Sequence, residues 1–175
     1  DQVVQGDVFV KDGKIQEISP SINVSAEHVI ADSGLTLMAG AIDTHVHFRD
    51  PGIIHKESIA TGSRAAAMGG VTSFFDMPNN NPPTVTLEAL AEKKRIAAET
   101  SLINYNFYIG ATNDNLEVLL QAENCPGIKI FMGSSTGNML VDDPDTLDAI
   151  FKHANKPIVI HSEDEAMVQE NAQRY

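Results

Sequence analysis

Cysteine is nearly absent from this sequence of 175 residues, and Cys125 is the single example. A disulfide bond within the chain is therefore excluded, which fits a reducing, cytoplasmic location. Cys125 directly precedes Pro126-Gly127 in a stretch that is typical of a loop. We interpret it as an inert residue and not as a catalytic thiol.

Basic residues are also scarce, since 12 Lys and Arg stand against 24 Asp and Glu and give a formal net charge of −12. An acidic chain without basic runs argues against nucleic acid or an anionic membrane surface as a partner. Long apolar runs are missing too, because no segment approaches the roughly 18 residues of a membrane span. A small anionic substrate stays open, since one arginine can dominate the charge of a pocket.

The first stretch, residues 1–37, has the pattern of short strands. Runs of β-branched and apolar residues recur at residues 3–4, 7–10, 14–18, 28–30 and 35–37. Asp12-Gly13 lies between two of these runs and is a strong signal for a hairpin turn. We interpret residues 1–37 as part of a small β-sandwich domain.

From residue 38 onwards, predicted strands alternate with predicted helices. The strands are 41–48, 71–77, 104–110, 127–132 and 157–161, and helices follow at 58–68, 86–99, 113–122, 143–153 and after 162. Five strand–helix units predict an α/β fold with a parallel sheet and right-handed crossovers. An open doubly wound sheet and a (β/α)₈ barrel both fit, but no Gly-x-Gly-x-x-Gly supports the nucleotide-binding version of the former.

Two histidines flank one apolar residue at the end of the first of these strands. Side chains repeat every second residue on a strand, so His45 and His47 are expected on the same side. That geometry allows two imidazoles to hold one metal ion, and Pro51-Gly52 then ends the strand.

Further polar residues lie at the ends of later strands, where the active site of a barrel is found. Asn79 follows the second strand, Lys129 lies in the fourth, and His161 closes the fifth. Zinc and similar ions favour imidazole nitrogen. The pattern therefore indicates a metal site at this edge.

Lys129 has two interpretations. A charged lysine is costly to bury, so it either faces a carboxylate partner or points outward. Alternatively, it loses its proton beside metal ions and reacts with carbon dioxide, giving a carbamate whose two oxygens can bridge two metals.

Four segments resemble those of dihydroorotases, within the amidohydrolase superfamily. The segments are DTHVHFRDP at 43–51, DMPNN at 76–80, GIKIFMG at 127–133 and HSED at 161–164. The third also resembles the carbamylated-lysine strand of hydantoinases. The resemblance implies that residues 38–175 are the first five units of an incomplete (β/α)₈ metallo-hydrolase barrel.

The resemblance also implies a site with two zinc or similar divalent ions. His45 and His47 would bind one ion, His161 the other, and carbamylated Lys129 would bridge them. Arg49 would hold the carboxylate of the substrate together with Asn79, in keeping with its bidentate fork.

Members of this family carry a further metal-binding histidine on strand six and a proton-shuttling aspartate on strand eight. The sequence ends at Tyr175, before those strands. No catalytic acid or base is therefore assigned within the chain, and we expect this stretch alone to be inactive and poorly soluble.

The implied reaction is the reversible hydrolysis of dihydroorotate to N-carbamoyl-L-aspartate, a step of pyrimidine biosynthesis. A hydantoinase or allantoinase is the nearest alternative, although the substrates of those enzymes lack the ring carboxylate that Arg49 would hold. A non-catalytic scaffold with the same barrel is a second alternative. A deaminase of similar barrel is a third, but it would not need Lys129. Oligomer formation by the full-length protein stays open.

The remaining acidic and histidine residues have simpler interpretations. Asp43, Asp50 and Asp76 either support metal-bound imidazoles or act as caps and turn residues. His55 and His153 have no place at a strand end, and we interpret both as surface residues.

Overall fold

A computed structural model describes residues 3–31, 34–133 and 139–174 of the chain. Contacts between Cα atoms divide the chain into two compact units, with the boundary between Met38 and Ala39. The predicted boundary after residue 37 lies one residue earlier. The kind of domain to which the first unit belongs stays a prediction.

The first unit contains one β-hairpin. Strand β1 (Asp7–Lys11) pairs antiparallel with β2 (Lys14–Ser19). Asp12 and Gly13 at the turn have φ of 52° and 70°, as a two-residue type I′ turn requires. The hairpin predicted from Asp12-Gly13 is confirmed.

Three other predicted strands of this unit are wrong. Residues 3–4, 28–30 and 35–37 form no strand in the structure. A strand is stabilised by hydrogen bonds to a neighbouring strand, and in the described residues of this unit β1 and β2 pair with each other alone. Val29 and Ile30 are 77% and 89% exposed, so apolar composition alone did not create a buried strand here.

The second unit alternates strands and helices. Its elements in chain order are β3 (Ala41–Val46), α1 (Ile59–Met68), β4 (Val71–Asp76), α2 (Leu87–Thr100), β5 (Asn104–Phe107), β6 (Ile109–Gly110), α3 (Leu116–Gln121), β7 (Ile128–Phe131), α4 (Pro144–His153), β8 (Ile158–His161) and α5 (Glu165–Arg174). The strands pair in parallel in two sheets, β3-β4-β5 and β6-β7-β8. The predicted α/β fold with parallel strands is confirmed.

The two sheets meet at Tyr108. The sequence predicts a single strand over 104–110, whereas the structure has β5 and β6 with Tyr108 between them. The backbone N–H of Tyr108 donates to the carbonyl oxygen of Asp76 at 3.1 Å. The chain therefore continues from one sheet to the next with its backbone still bonded to β4.

The strands present one face to the helices and the other to the site. Ile128 and Ile130 of β7 belong to the hydrophobic core, together with residues such as Ile59, Phe74, Leu90, Phe107 and Ile150. Because side chains alternate along a strand, Lys129 and Phe131 point to the opposite face. All four residues of β7 are buried.

Three helices of the second unit, α1, α2 and α4, begin at side-chain caps. Thr86 accepts a hydrogen bond from Ala89 N–H at the start of α2, and Asp143 accepts one from Thr146 N–H at the start of α4. Pro144 takes the first helical position of α4, where its missing N–H costs nothing. None of the helices in the described ranges is both long and apolar enough to cross a membrane.

We expect Gly62→Ala to destabilise the protein. Alanine normally favours a helix over glycine by about 1 kcal/mol. A Cβ atom at Gly62, however, would lie 2.6 Å from Phe48 Cε1, and the Phe48 ring packs on Phe74 with centroids 4.7 Å apart. The steric cost of overpacking should exceed the gain in helix propensity. We expect denaturant titration to show a free energy of unfolding lower by about 1–3 kcal/mol.

Gly69→Ala is the matched control at the end of the same helix. Gly69 has an ordinary φ of −88°, and the atom nearest to an added Cβ is Ala66 O at 3.5 Å. Its free energy of unfolding should stay within about 0.5 kcal/mol of the wild-type value. Equal stability of the two variants would contradict the steric argument.

Candidate functional site

His45 and His47 lie side by side at the end of β3. Their ring centroids are 5.2 Å apart, with 48° between the ring planes. The backbone N–H of His45 donates to Asp43 Oδ1 at 3.1 Å. The neighbouring arrangement expected from the spacing of the two histidines is therefore present.

The loop after His47 is held in an unusual conformation. Arg49 has φ of 64°, in the left-handed region that costs a non-glycine residue about 1 kcal/mol or more. Its Nη1 donates to the carbonyl oxygen of Asn79 at 2.9 Å. Phe48, just before it, donates its backbone N–H to Asp76 Oδ1 at 2.9 Å. One hydrogen bond to the end of β4 thus holds the backbone of Phe48, and one to the following loop holds the side chain of Arg49.

Asn79 connects the loop after β4 to His47. Asn79 Oδ1 and His47 Nδ1 are 2.6 Å apart, and a carbonyl oxygen can only accept. His47 Nδ1 therefore carries a proton, which leaves the lone pair of Nε2 free to bind a metal ion. Burial lowers the pKa of His47, whereas the hydrogen bond that His47 donates to Asn79 raises it and the positive charge of Arg49 lowers it.

Lys129 is buried in the middle of β7 with 1% of its surface exposed. Its Nζ lies 4.8 Å from the centroid of the Phe131 ring. No carboxylate of the described residues pairs with it. Both structural interpretations of this lysine, a carboxylate partner and an outward orientation, are thus unsupported within the described part of the chain. Burial lowers the pKa of Lys129 and favours the neutral amine.

His161 closes β8 and is paired in register with Phe131. Its Nε2 is shielded from solvent and makes no hydrogen bond to any residue that the structure describes. Glu163 Oε2 lies 3.2 Å from this nitrogen. The Phe131 ring centroid lies 6.0 Å from that of His161, so one aromatic ring neighbours both His161 and Lys129.

Electrostatics link these strand ends. The pKa of His45 is lowered first by burial and next by the positive charge of Lys129, while Asp43 raises it and His161 lowers it. Charges influence one another in this way only over short distances. Lys129 on β7 and His161 on β8 therefore lie within electrostatic range of His45 on β3.

These residues suit a metal ion in their chemistry. Two imidazoles with lowered pKa stay neutral at pH 7, and neutral imidazole is the form that binds metal. His161 Nε2 is a buried nitrogen without a hydrogen bond, and Lys129 is a buried amine without an acidic partner. Over residues 3–31, 34–133 and 139–174, no three His, Cys, Asp or Glu side chains form a ready-made metal cluster. A metal site formed by histidines together with Lys129 does not require such a cluster of three.

The predicted supporting carboxylates have separate tasks. Asp50 Oδ2 accepts from Ile59 N–H at 3.0 Å and so helps to start α1. Asp76 pairs with Lys93 at 2.8 Å, and neither side chain is exposed. His55 and His153 are exposed, as expected of surface residues.

Lys93 is the polar residue near the site that the sequence reasoning missed. It follows Leu90 by three positions and precedes Ala97 by four, and both of those residues are buried. Residues at this spacing share one helix face. A lysine on the apolar face of α2 was therefore a detectable signal for a buried ion pair.

The sequence profile of the Amidohydrolase family matches residues 36–174, which is most of the chain. The chain belongs to the amidohydrolase family. Among relatives of this amidohydrolase, a dihydroorotase of Methanosphaera stadtmanae is 34% identical over 167 residues, covering 94% of this chain. An allantoinase of Deinococcus radiodurans is 39% identical over 134 residues, covering 75% of this chain and 30% of the relative.

A solved structure has the same fold. The L-hydantoinase (dihydropyrimidinase) from Arthrobacter aurescens superposes with a TM-score of 0.90 and 31% sequence identity. The match covers 99% of this chain and 40% of that one. Likewise, the amidohydrolase chain spans 38% of the length of the Methanosphaera dihydroorotase. The membership of the amidohydrolase superfamily expected from the four motifs is confirmed. The predicted partial barrel is confirmed as well.

We expect Asn79→Ala to lower the pKa of His47. The Asn79 oxygen stabilises the protonated ring, so its removal leaves burial, the main cause, less opposed. In metal-free protein, NMR titration of the imidazole protons should place the His47 midpoint below its wild-type value. The His45 midpoint serves as the internal control, because Asn79 is not among the groups that act on it. An unchanged or raised His47 midpoint would contradict the assigned hydrogen bond.

Proposed function

We propose that the protein containing this chain hydrolyses a cyclic amide, and specifically that it interconverts dihydroorotate and N-carbamoyl-L-aspartate. The observation that carries the proposal is Lys129, a buried amine without an acidic partner among the described residues, close enough to His45 to lower its pKa. Similarity to dihydroorotases over most of the chain supports the choice of reaction.

The metal site of this proposal uses four residues. Amidohydrolases are generally metal-dependent. His45 and His47 would hold one divalent ion, zinc or a similar metal, and His161 a second, with Lys129 as carbamate holding both. Two ions bound there would lower the pKa of a shared water and polarise the amide carbonyl.

Lys129 is prepared for carbamate formation by its burial. The neutral amine attacks the carbon of carbon dioxide: one N–C bond forms, one C–O π bond breaks and leaves its electron pair on oxygen, and one N–H proton is released. The product is an anion, which bound cations would stabilise. Burial, which lowers the pKa of Lys129, supplies the neutral amine that this step needs.

Arg49 and Asn79 would bind the carboxylate on the dihydroorotate ring. Arg49 uses Nη1 to reach Asn79 O, and its other guanidinium N–H groups donate to none of the described residues, which leaves them for a bidentate contact. Asn79 uses Oδ1 for His47, and its amide N–H₂ donates to none of the residues described. The bond between Arg49 and Asn79 holds these two donors near His47. No proton-shuttling acid or base is assigned within this chain.

Hydantoinase or allantoinase activity is the second candidate. The 39% identity to the Deinococcus allantoinase and the superposition on an L-hydantoinase favour it directly. Arg49 favours dihydroorotate, because hydantoin and allantoin have no ring carboxylate. A substrate panel with the full-length protein separates the two: faster turnover of hydantoin or allantoin than of dihydroorotate would refute the first choice.

We expect Arg49→Gln to act selectively on substrates with a carboxylate. Loss of a charge-assisted bidentate contact should raise KM for dihydroorotate by about tenfold or more. KM for any slowly hydrolysed neutral ring amide should change much less, which serves as the control. Equal losses for both kinds of substrate would show that Arg49 maintains the loop and does not bind the carboxylate.

We expect Lys129→Met to remove bound metal. The variant keeps an apolar chain of similar length next to Phe131, but it cannot form a carbamate. Metal analysis of the full-length protein should show loss of both ions, and intact mass of the wild type under carbon dioxide should show one added carboxyl group. Lys152→Met, at an exposed residue of α4, is the matched control. Full metal content in Lys129→Met would rule out the bridging role.

A further inference from the structure

Lys93 is completely buried, and three oxygen atoms surround its ammonium group. Its Nζ lies 2.8 Å from Asp76 Oδ2, 2.8 Å from the carbonyl oxygen of Met77 and 3.1 Å from Asn80 Oδ1. The ammonium group donates hydrogen bonds to Met77 O and Asn80 Oδ1, and its contact with Asp76 Oδ2 is an ion pair. The ring of Phe107, with its centroid 5.0 Å away, covers the cation on another side.

One contact of Lys93 leads to the end of β3. Asp76 binds Lys93 through Oδ2 and accepts the backbone N–H of Phe48 through Oδ1 at 2.9 Å. Phe48 stands between His47 and Arg49 in the chain. The ion pair therefore holds the backbone from which both functional side chains project.

The other two contacts lead to the loop after β4. Met77 and Asn80 flank the segment that contains Asn79. Asn80 Oδ1 accepts from Lys93 and from the hydroxyl of Thr84 at 2.9 Å. The loop that supplies Asn79 is thus held by the same cation as the end of β3.

We propose that Lys93 is a positioning residue that fixes the end of β3 and the loop after β4 relative to each other. It does not touch substrate, because its side chain has no exposed surface. It acts through His47, Arg49 and Asn79. The proposal rests on the proposed function insofar as these three residues bind metal and substrate.

A simpler role would be neutralisation of the buried Asp76 charge. The two roles differ in what the double variant Lys93→Met/Asp76→Asn should do. This variant removes both charges of the Lys93–Asp76 pair, and the amide introduced at position 76 keeps an oxygen for Phe48 N–H. If neutralisation is the whole role, the double variant should recover the thermal stability, the KM and the slow hydrogen exchange that Lys93→Met loses. If Lys93 positions the loop after β4, the double variant should regain thermal stability, but this loop should still exchange hydrogen faster than in the wild type.

The experiment compares Lys93→Met, the double variant and wild type in the full-length protein. We expect the double variant to regain much of the thermal stability that Lys93→Met loses. We also expect KM for dihydroorotate to stay raised by about tenfold, with a smaller change in kcat. Hydrogen exchange measured by mass spectrometry should be about tenfold faster for the peptide covering residues 77–85.

Lys152→Met/Asp148→Asn is the matched control, because it removes an exposed lysine–aspartate pair from α4. Its KM and exchange should equal those of the wild type. Asn80→Ala is a second test that leaves the ion pair intact, and it should speed exchange of residues 77–85 and raise KM even if the double variant fails to fold.

The positioning role would be overturned if either Asn80→Ala or a folded double variant kept the wild-type KM for dihydroorotate and the wild-type hydrogen exchange of residues 77–85. Hydrogen exchange also separates this proposal from the proposed function. If the wild-type protein hydrolyses none of the cyclic amides, the function is refuted, while exchange of residues 77–85 still decides whether Lys93 holds the loop.

Discussion

The parallel pairing of β7 with its neighbours is the constraint on which the site depends. Lys129 lies opposite Gly110 on one side and Val159 on the other, and Phe131 lies opposite His161. Because all these strands run in the same direction, their carboxyl ends share one edge. This register brings a lysine and a histidine that are 32 positions apart in the chain around a single aromatic ring.

Much of this arrangement could be predicted from the sequence, because strand periodicity and the strand–helix alternation are local signals. The hairpin at Asp12-Gly13 and the pair His45 and His47 needed no knowledge of tertiary structure. The predicted strands at 28–30 and 35–37 were wrong because a strand depends on a partner that composition does not reveal. The break at Tyr108 and the conformation of Arg49 were also beyond sequence reasoning, since tertiary hydrogen bonds accompany both.

Two buried lysines show that the same side chain can have a structural role in one environment and a chemical role in another. Lys93 is paired with Asp76 and surrounded by acceptors, and Asp76 opposes the effect of burial on its pKa. Each lysine lies beside an aromatic ring, but Lys129 has no acidic partner among the described residues, so burial acts on its pKa unopposed. The first environment suits a permanent cation that stabilises loops, and the second suits an amine that can react. The environments differ in the carboxylate of Asp76 and in the two oxygen acceptors, Met77 O and Asn80 Oδ1, around Lys93.

The left-handed backbone at Arg49 limits which residues that position can accept. Side chains branched at Cβ are strained at a φ of 64°, whereas Asn, Asp and Gly adopt this conformation more readily. Engineering a neutral pocket here by introducing Val or Ile would therefore disturb the loop before it altered recognition. A mutant library aimed at new ring substrates is better built from Asn and Gly at position 49, with bulk added on neighbouring strands.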